Sequence, residues 1–182
     1  MKKILALLAL MVLASGCATV SLTESKIYYT KANIWYESPE KILPMYHKGS
    51  MLLVGTKVKI LHCSNSRIKF VTDNGREFVL VNAAKYSTIG LKEFFEQYFS
   101  ETNVLIENGP FYAFSKIEQE NIKNGLIVPG MSKEAVLMAY GYPPSHATNI
   151  SSNTWFYWKS KFRRFPVYFK DNKLTLDKPK EF

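Results

Sequence analysis

Charge alternates with apolar residues in Lys57-Val58-Lys59-Ile60 and again in Arg67-Ile68-Lys69-Phe70. A period of two is that of a β-strand with one solvated and one buried face. Ile27-Tyr28-Tyr29, Ala32 to Tyr36 and Glu77 to Val81 are further short runs rich in β-branched and aromatic residues, set apart by turn signals. Asp73-Asn74-Gly75 tolerates positive φ at low cost and predicts a hairpin joining the runs that begin at Arg67 and Glu77. Residues 26–85 therefore read as short strands of a small curled barrel, SH3-like in pattern, with Gly49 and Gly55 punctuating its middle.

The period changes at Leu91. Leu91, Phe94, Phe95, Tyr98 and Phe99 fall on one helical face with Lys92, Glu93, Glu96 and Gln97 between them, and Thr88 or Ser87 is placed to cap the start. This amphipathic helix and a linker holding Asn108-Gly109-Pro110 occupy residues 86–114. Ser115 and Glu118 have capping-box spacing, so a short helix follows to Asn124, with Gly125 placed to end it in the left-handed conformation. Ser132 caps a second helix through Tyr140, ended by Gly141 before Pro143-Pro144. Thr154 to Lys159, Phe165 to Lys170 and Leu174 to Leu176 then predict a three-stranded antiparallel meander, with Pro166 at a strand start or edge.

The N-terminus fits neither pattern. Met1-Lys2-Lys3 is basic, Ile4 to Leu13 is apolar, and Ala14-Ser15-Gly16-Cys17 is a small-residue site ending in cysteine. Residues 1–16 therefore read as a secretory signal peptide of the lipoprotein kind, leaving Cys17 first in the mature chain. Acyl chains such as palmitate on Cys17 would anchor the protein, each buried methylene contributing about 0.8 kcal/mol. With Ala18 and no aspartate after the cysteine, the chain resembles lipoproteins passed on to the outer membrane, which places it on the periplasmic face. Residues 17–25 are mostly small and polar, as expected of a tether.

Of the 182 residues, 182 − 16 = 166 remain after that cleavage, enough for one ordinary domain or two small ones. A hydrophobic content of 47% with only 21% charged residues excludes a disordered chain. No second apolar run approaches the roughly 20 residues needed to cross a bilayer. With Cys17 acylated, Cys63 is left without a partner in the chain, which excludes an internal disulfide and suits a buried, inert thiol. His62 beside it alternates to the other strand face, and His47 and His146 lie far away, so no metal site is expected. The net charge of +9 falls to +7 when Lys2 and Lys3 leave. From Lys159 onward eight basic residues face three acidic ones, with Lys159, Lys161, Arg163 and Arg164 clustered. In an envelope protein such a cluster attracts acidic protein surfaces or phospholipid headgroups before nucleic acid.

Asn121 to Phe182 resembles the SmpA/OmlA (BamE-like) family of outer-membrane lipoproteins. The residues that carry the resemblance are Ile122 with Gly125, Gly130-Met131-Ser132, Val136, Gly141 with Pro143, Asn153-Thr154-Trp155-Phe156-Tyr157, and Leu174 to Asp177. The resemblance implies a lipid-anchored adaptor that contacts other envelope proteins and, in some members, anionic phospholipid. It brings no catalytic residues. The expected fold class is α+β: an SH3-like barrel (26–85), an amphipathic helix and linker (86–114), then a BamE-like domain of two helices and a three-stranded sheet (115–182).

Trp155 and Tyr157 alternate with Phe156 and Trp158, so both faces of the meander carry aromatics and only one lies on the helices. Trp155, Tyr157, Trp158, Lys159, Lys161, Arg163 and Arg164 are the candidate partner-binding residues, because aromatic plus arginine is the composition of interface hot spots. Packing between domains for the aromatics, and a solvated loop for the cations, stay open beside that reading. There is no nucleophile elbow, zinc spacing, phosphate-cradling glycine loop or triad, so neither catalysis nor a cofactor is expected. The expected role is a non-enzymatic adaptor or stabilising subunit of an outer-membrane complex of the β-barrel-assembly kind. The alternative is a periplasmic module whose barrel binds peptide or cell-wall material.

Overall fold

The structure, a computed structural model, describes residues 26–178; the expected signal peptide, the expected lipidation site Cys17 and the expected tether lie outside the described residues. The elements in chain order are β1 (Ile27–Thr30), β2 (Ile34–Tyr36), β3 (Ser50–Leu52), β4 (Lys57–Ser64), β5 (Arg67–Thr72), β6 (Glu77–Val81), α1 (Leu91–Tyr98), β7 (Phe99–Ser100), α2 (Lys116–Asn124), α3 (Lys133–Tyr140), β8 (Thr154–Ser160), β9 (Arg163–Lys170) and β10 (Lys173–Thr175). A single 3-10 turn spans Pro110–Ala113. All pairing between strands is antiparallel, in a five-stranded sheet β6-β5-β4-β1-β7, a three-stranded sheet β10-β9-β8 and a two-stranded sheet β2-β3.

Local sequence chemistry explains these elements. Gly75 sits at φ 81° in the turn between β5 and β6, and Thr72 closes it by donating to Asn74 Oδ1 at 2.6 Å. In α2 the capping box forms: Ser115 Oγ accepts from the Glu118 amide at 3.3 Å, and Glu118 Oε2 accepts from the Ser115 amide at 3.0 Å. Gly125 follows at φ 63°, the left-handed end that the sequence predicts. Ser132 accepts from the Ala135 amide and caps α3. α1 departs from expectation at its start, where Gly90 is the cap residue and no side chain bonds the first turn. Thr88 instead bonds Ser145, through its amide at 2.8 Å and its hydroxyl at 3.1 Å.

The expected α+β class, with a barrel followed by a helix and a separate two-helix domain, does not form. Strand makes up 34% of the described residues against 19% helix, arranged as three antiparallel sheets. A barrel closes only when its outermost strands pair, and here the two edge strands, β6 and β7, do not pair with each other. At β6, Val79 donates to Pro39 O and accepts from Ile42 at 2.8 Å each, and Val81 donates to Ile42 O at 2.9 Å. At β1, the outer partner is β7, contributed from beyond α1. β2 and β3 pair only with each other.

Nor do α2, α3 and the three-stranded sheet close on themselves. Asn33, 1% exposed between β1 and β2, donates through Nδ2 to Ile122 O at 2.6 Å and Ala139 O at 2.9 Å. It thereby binds a carbonyl in the last turn of each helix, where the backbone ladder runs out; the Ile122 carbonyl also accepts from the Gly125 amide at 3.2 Å. Its Oδ1 accepts from the Val54 amide at 2.7 Å, and its own amide donates to Met138 O at 3.0 Å. Val54, Val104 and Phe111, all from before residue 115, complete the core around Trp155, Tyr157, Ile122 and Val136. The other core joins Tyr28, Phe70, Phe78 and Leu80 with Phe94, Phe95, Tyr98 and Phe99, the apolar face of α1 and its end.

A buried carboxylate fixes α2, α3 and β10 relative to one another. Glu118, 6% exposed, holds Ser115 with Oε2 and accepts through Oε1 from the Ser132 amide at 2.8 Å, the Ser132 hydroxyl at 2.9 Å and Lys173 at 3.3 Å. Burial pushes this carboxyl up, but the four donors of Ser132 and Ser115 outweigh it and hold the carboxyl down at about 2. The β8–β9 hairpin rests on this helix pair.

Candidate functional site

β8 and β9 pair from Thr154↔Tyr168 to Ser160↔Arg163, with a bulge between Trp158 and Ser160 that leaves Lys159 unpaired in the register. The hairpin tip is Lys161-Phe162. Phe162 is 87% exposed, with the Lys161 ammonium 5.2 Å from its ring centre. Trp155 and Tyr157, expected as partner contacts, are both 0% exposed and belong to the core. They face α3, where Tyr157 donates to Gly141 O at 3.0 Å, so neither is available to a partner. The opposite face presents Phe156 and half-buried Trp158, with the Arg164 guanidinium 4.5 Å above the Phe156 ring and 5.9 Å from that of Trp158.

Lys159, Arg163 and Arg164 line one groove with Leu126, Ile127, Tyr140 and Phe165, a space of about 450 Å³ between the end of α2 and the hairpin. Its floor is apolar: Leu126 is 53% exposed, and Phe165 lies under the Lys159 ammonium at 5.8 Å. None of Lys159, Lys161, Arg163 and Arg164 is in an ion pair among the described residues. Four cations without a carboxylate, beside an exposed aromatic tip and an apolar trough, form a surface suited to an amphipathic anion. The sequence reading had missed Phe162, Leu126 and Ile127. Phe162 carried a signal all the same, since an aromatic between Lys161 and Arg163 in a tight turn has no core to enter.

Behind the hairpin, His47 joins it to the N-terminal sheets. Its ring stacks on Tyr140 at 4.0 Å and 4° and meets Tyr157 edge-on at 5.0 Å. Nε2 lies 2.6 Å from Tyr140 O and Nδ1 3.1 Å from Trp158 O. Burial drives the imidazole down to about 4, against the upward pull of the Trp158, Tyr140 and Met45 carbonyls, and keeps it neutral at neutral pH.

Cys63 is half-buried, and burial pushes its thiol up, away from the reactive thiolate. Among the described residues no group of three or more His, Cys, Asp and Glu could hold a metal ion, and no helix is long and apolar enough to cross a membrane. Comparison with protein-family models, with curated proteins and with solved structures gave no match to this chain.

Proposed function

We propose that this protein is a lipid-anchored envelope lipoprotein at the periplasmic face of the outer membrane. It acts without catalysis, as an adaptor or stabilising subunit of an outer-membrane complex, and the β8–β9 hairpin is its contact surface. The observation that carries this reading is the β8–β9 hairpin with four cations that are in no ion pair among the described residues, exposed Phe162 at its tip and a groove with an apolar floor beside it. The Cys17 lipobox supports the address, and the SmpA/OmlA-like residues between Asn121 and Asp177 support a role in an assembly. The partner surface is acidic, with an apolar element to fill the groove; an envelope protein meets both needs, and anionic phospholipid is the second chemistry the site accepts.

Capture from crosslinked host cells tests this. Arg163 and Arg164 are exposed and unpaired, so Arg163→Glu/Arg164→Glu leaves the core untouched. The double variant reverses two charges, each Lys or Arg near an anionic surface being worth about 1 kcal/mol. Recovery of the partner should fall by at least about tenfold. Undiminished recovery would remove the hairpin from the contact surface.

A further inference from the structure

The five-stranded sheet has one covered face and one open face. Tyr28, Ile60, Phe70 and Phe78 point into the core that α1 closes, so the alternate positions of the same strands point away from it. The register sets Ile27, Lys59, Val71 and Glu77 side by side across β1, β4, β5 and β6. Tyr29 stands beside Lys57 in one neighbouring row, and His62, Lys69 and Val79 form another. All of these residues are half-buried or exposed, so no helix or loop of the described chain seals the face. Its most open apolar positions are Ile27, 43% exposed, and Leu61 in the bulge of β4, 42% exposed.

The polar positions of this face are basic. Lys57, Lys59, Arg67 and Lys69 stand against Glu77 and, in the turn, Asp73, a local charge of 4 − 2 = +2. Glu77 is taken up by Lys69 at 2.7 Å, whereas Lys57, Lys59 and Arg67 are in no ion pair among the described residues. Lysine stems lie along apolar neighbours while their ammonium groups reach outward, which suits a layer of charged headgroups over an apolar interior. Ile27 is also where the expected anchor enters the fold. Cys17 precedes Lys26 by 26 − 17 = 9 residues, at most about 32 Å of extended chain. Lys26 in turn is tied to Glu101, just past the β7 edge of the same sheet.

We propose that the outer face of the five-stranded sheet rests on the anionic phospholipid surface that carries the anchor, with Lys57, Lys59 and Arg67 on headgroup phosphates and Ile27 and Leu61 at their level. The proposal rests on the lipid-anchor reading of Cys17. None of the face's residues lies in the stretch from Asn121 to Phe182, and the β8–β9 hairpin belongs to another sheet packed on another core. The membrane contact and the partner contact are therefore different surfaces.

The test uses the mature acylated protein, its mass checked for the acyl chains, in phosphatidylcholine vesicles with and without about 30% phosphatidylglycerol and with a nitroxide on the lipid headgroups. A bimane label at Leu61→Cys, in a Cys63→Ala background, should be quenched at least about twofold more in the anionic vesicles than in the neutral ones, and the same label at Phe162→Cys should not. Each cation near such a surface contributes about fivefold to the docked population. Lys57→Glu/Lys59→Glu should therefore lower the docked-to-free ratio by at least about 25-fold and return quenching to its level in neutral vesicles. Salt at about 1 M should do the same by screening. Equal quenching at positions 61 and 162, quenching that ignores phosphatidylglycerol or the charge reversal, or none at position 61 would each overturn the proposal. A mature chain without acyl groups would remove the anchor reading and the proposal with it. Arg163→Glu/Arg164→Glu should leave quenching at position 61 unchanged, so failure of the hairpin reading is distinguishable from failure of this one.

Discussion

Replacing Glu118 by glutamine keeps the shape of the side chain and removes its charge. The native carboxylate accepts from two amides and two hydroxyls, and from Lys173, across α2, α3 and β10. A glutamine turns one end of that fork into a donor facing donors. The carboxyl lies at about 2 in the folded protein against an ordinary 4.5, and at about 1.4 kcal/mol per unit this difference is worth about 3 kcal/mol. Because the folded value is the lower one, the contribution is complete above 4.5 and disappears as the pH falls through 2. Urea unfolding of Glu118→Gln, followed by tryptophan fluorescence, should show a loss of about 3 kcal/mol at neutral pH that shrinks by more than half near pH 3. A loss below about 1 kcal/mol at neutral pH, or one that does not change with pH, would refute the assignment of Glu118 as the charged tie between the helices.

Two further perturbations probe how the hairpin is held. The His47 imidazole should titrate at about 4 in the folded protein, so its stabilising contribution is complete above its ordinary value of 6.5 and is lost as the pH falls toward 4. An NMR titration midpoint at or above 6.5 would mean that the Tyr140 and Trp158 carbonyls outweigh burial. Asn33→Leu leaves the Val54 amide and the Ile122 and Ala139 carbonyls without their side-chain partner, and should cost at least about 3 kcal/mol in urea unfolding with faster exchange of the Val54 amide. A cost within experimental error would contradict the role given to Asn33 in joining the N-terminal strands to both helices.

What the sequence made legible was local. Asp73-Asn74-Gly75, the Ser115–Glu118 box, Gly125 and Ser132 each satisfy or release backbone groups within a few residues, and all take the expected form. The aromatic stripe of α1 was equally readable, because helical spacing alone puts Phe94, Phe95 and Tyr98 on one buried face. The fold class was misread because its determinants are long-range. Nothing in the runs around Ile34 and Met51 tells that they pair with each other and leave the main sheet. Phe99-Ser100 is too short to signal a strand, yet it takes the edge of β1. Asn33 falls inside the run Ala32 to Tyr36 that reads as a strand, and nothing there tells that the carbonyls of Ile122 and Ala139 will meet it.

The site divides in the same way. The cations were visible as a run, whereas the partition of the aromatics depended on strand register: Trp155 and Tyr157 went inward, Phe156 and Trp158 outward.

The central claim is that the β8–β9 tip touches a partner in the envelope. Placing a photoreactive benzoylphenylalanine at Phe162, and as a control at Ile106, which is 55% exposed elsewhere on the surface, tests it inside living host cells. The account predicts a discrete crosslinked product with an envelope component from position 162 and none from position 106. No product from either position, or the same products from both, would contradict it.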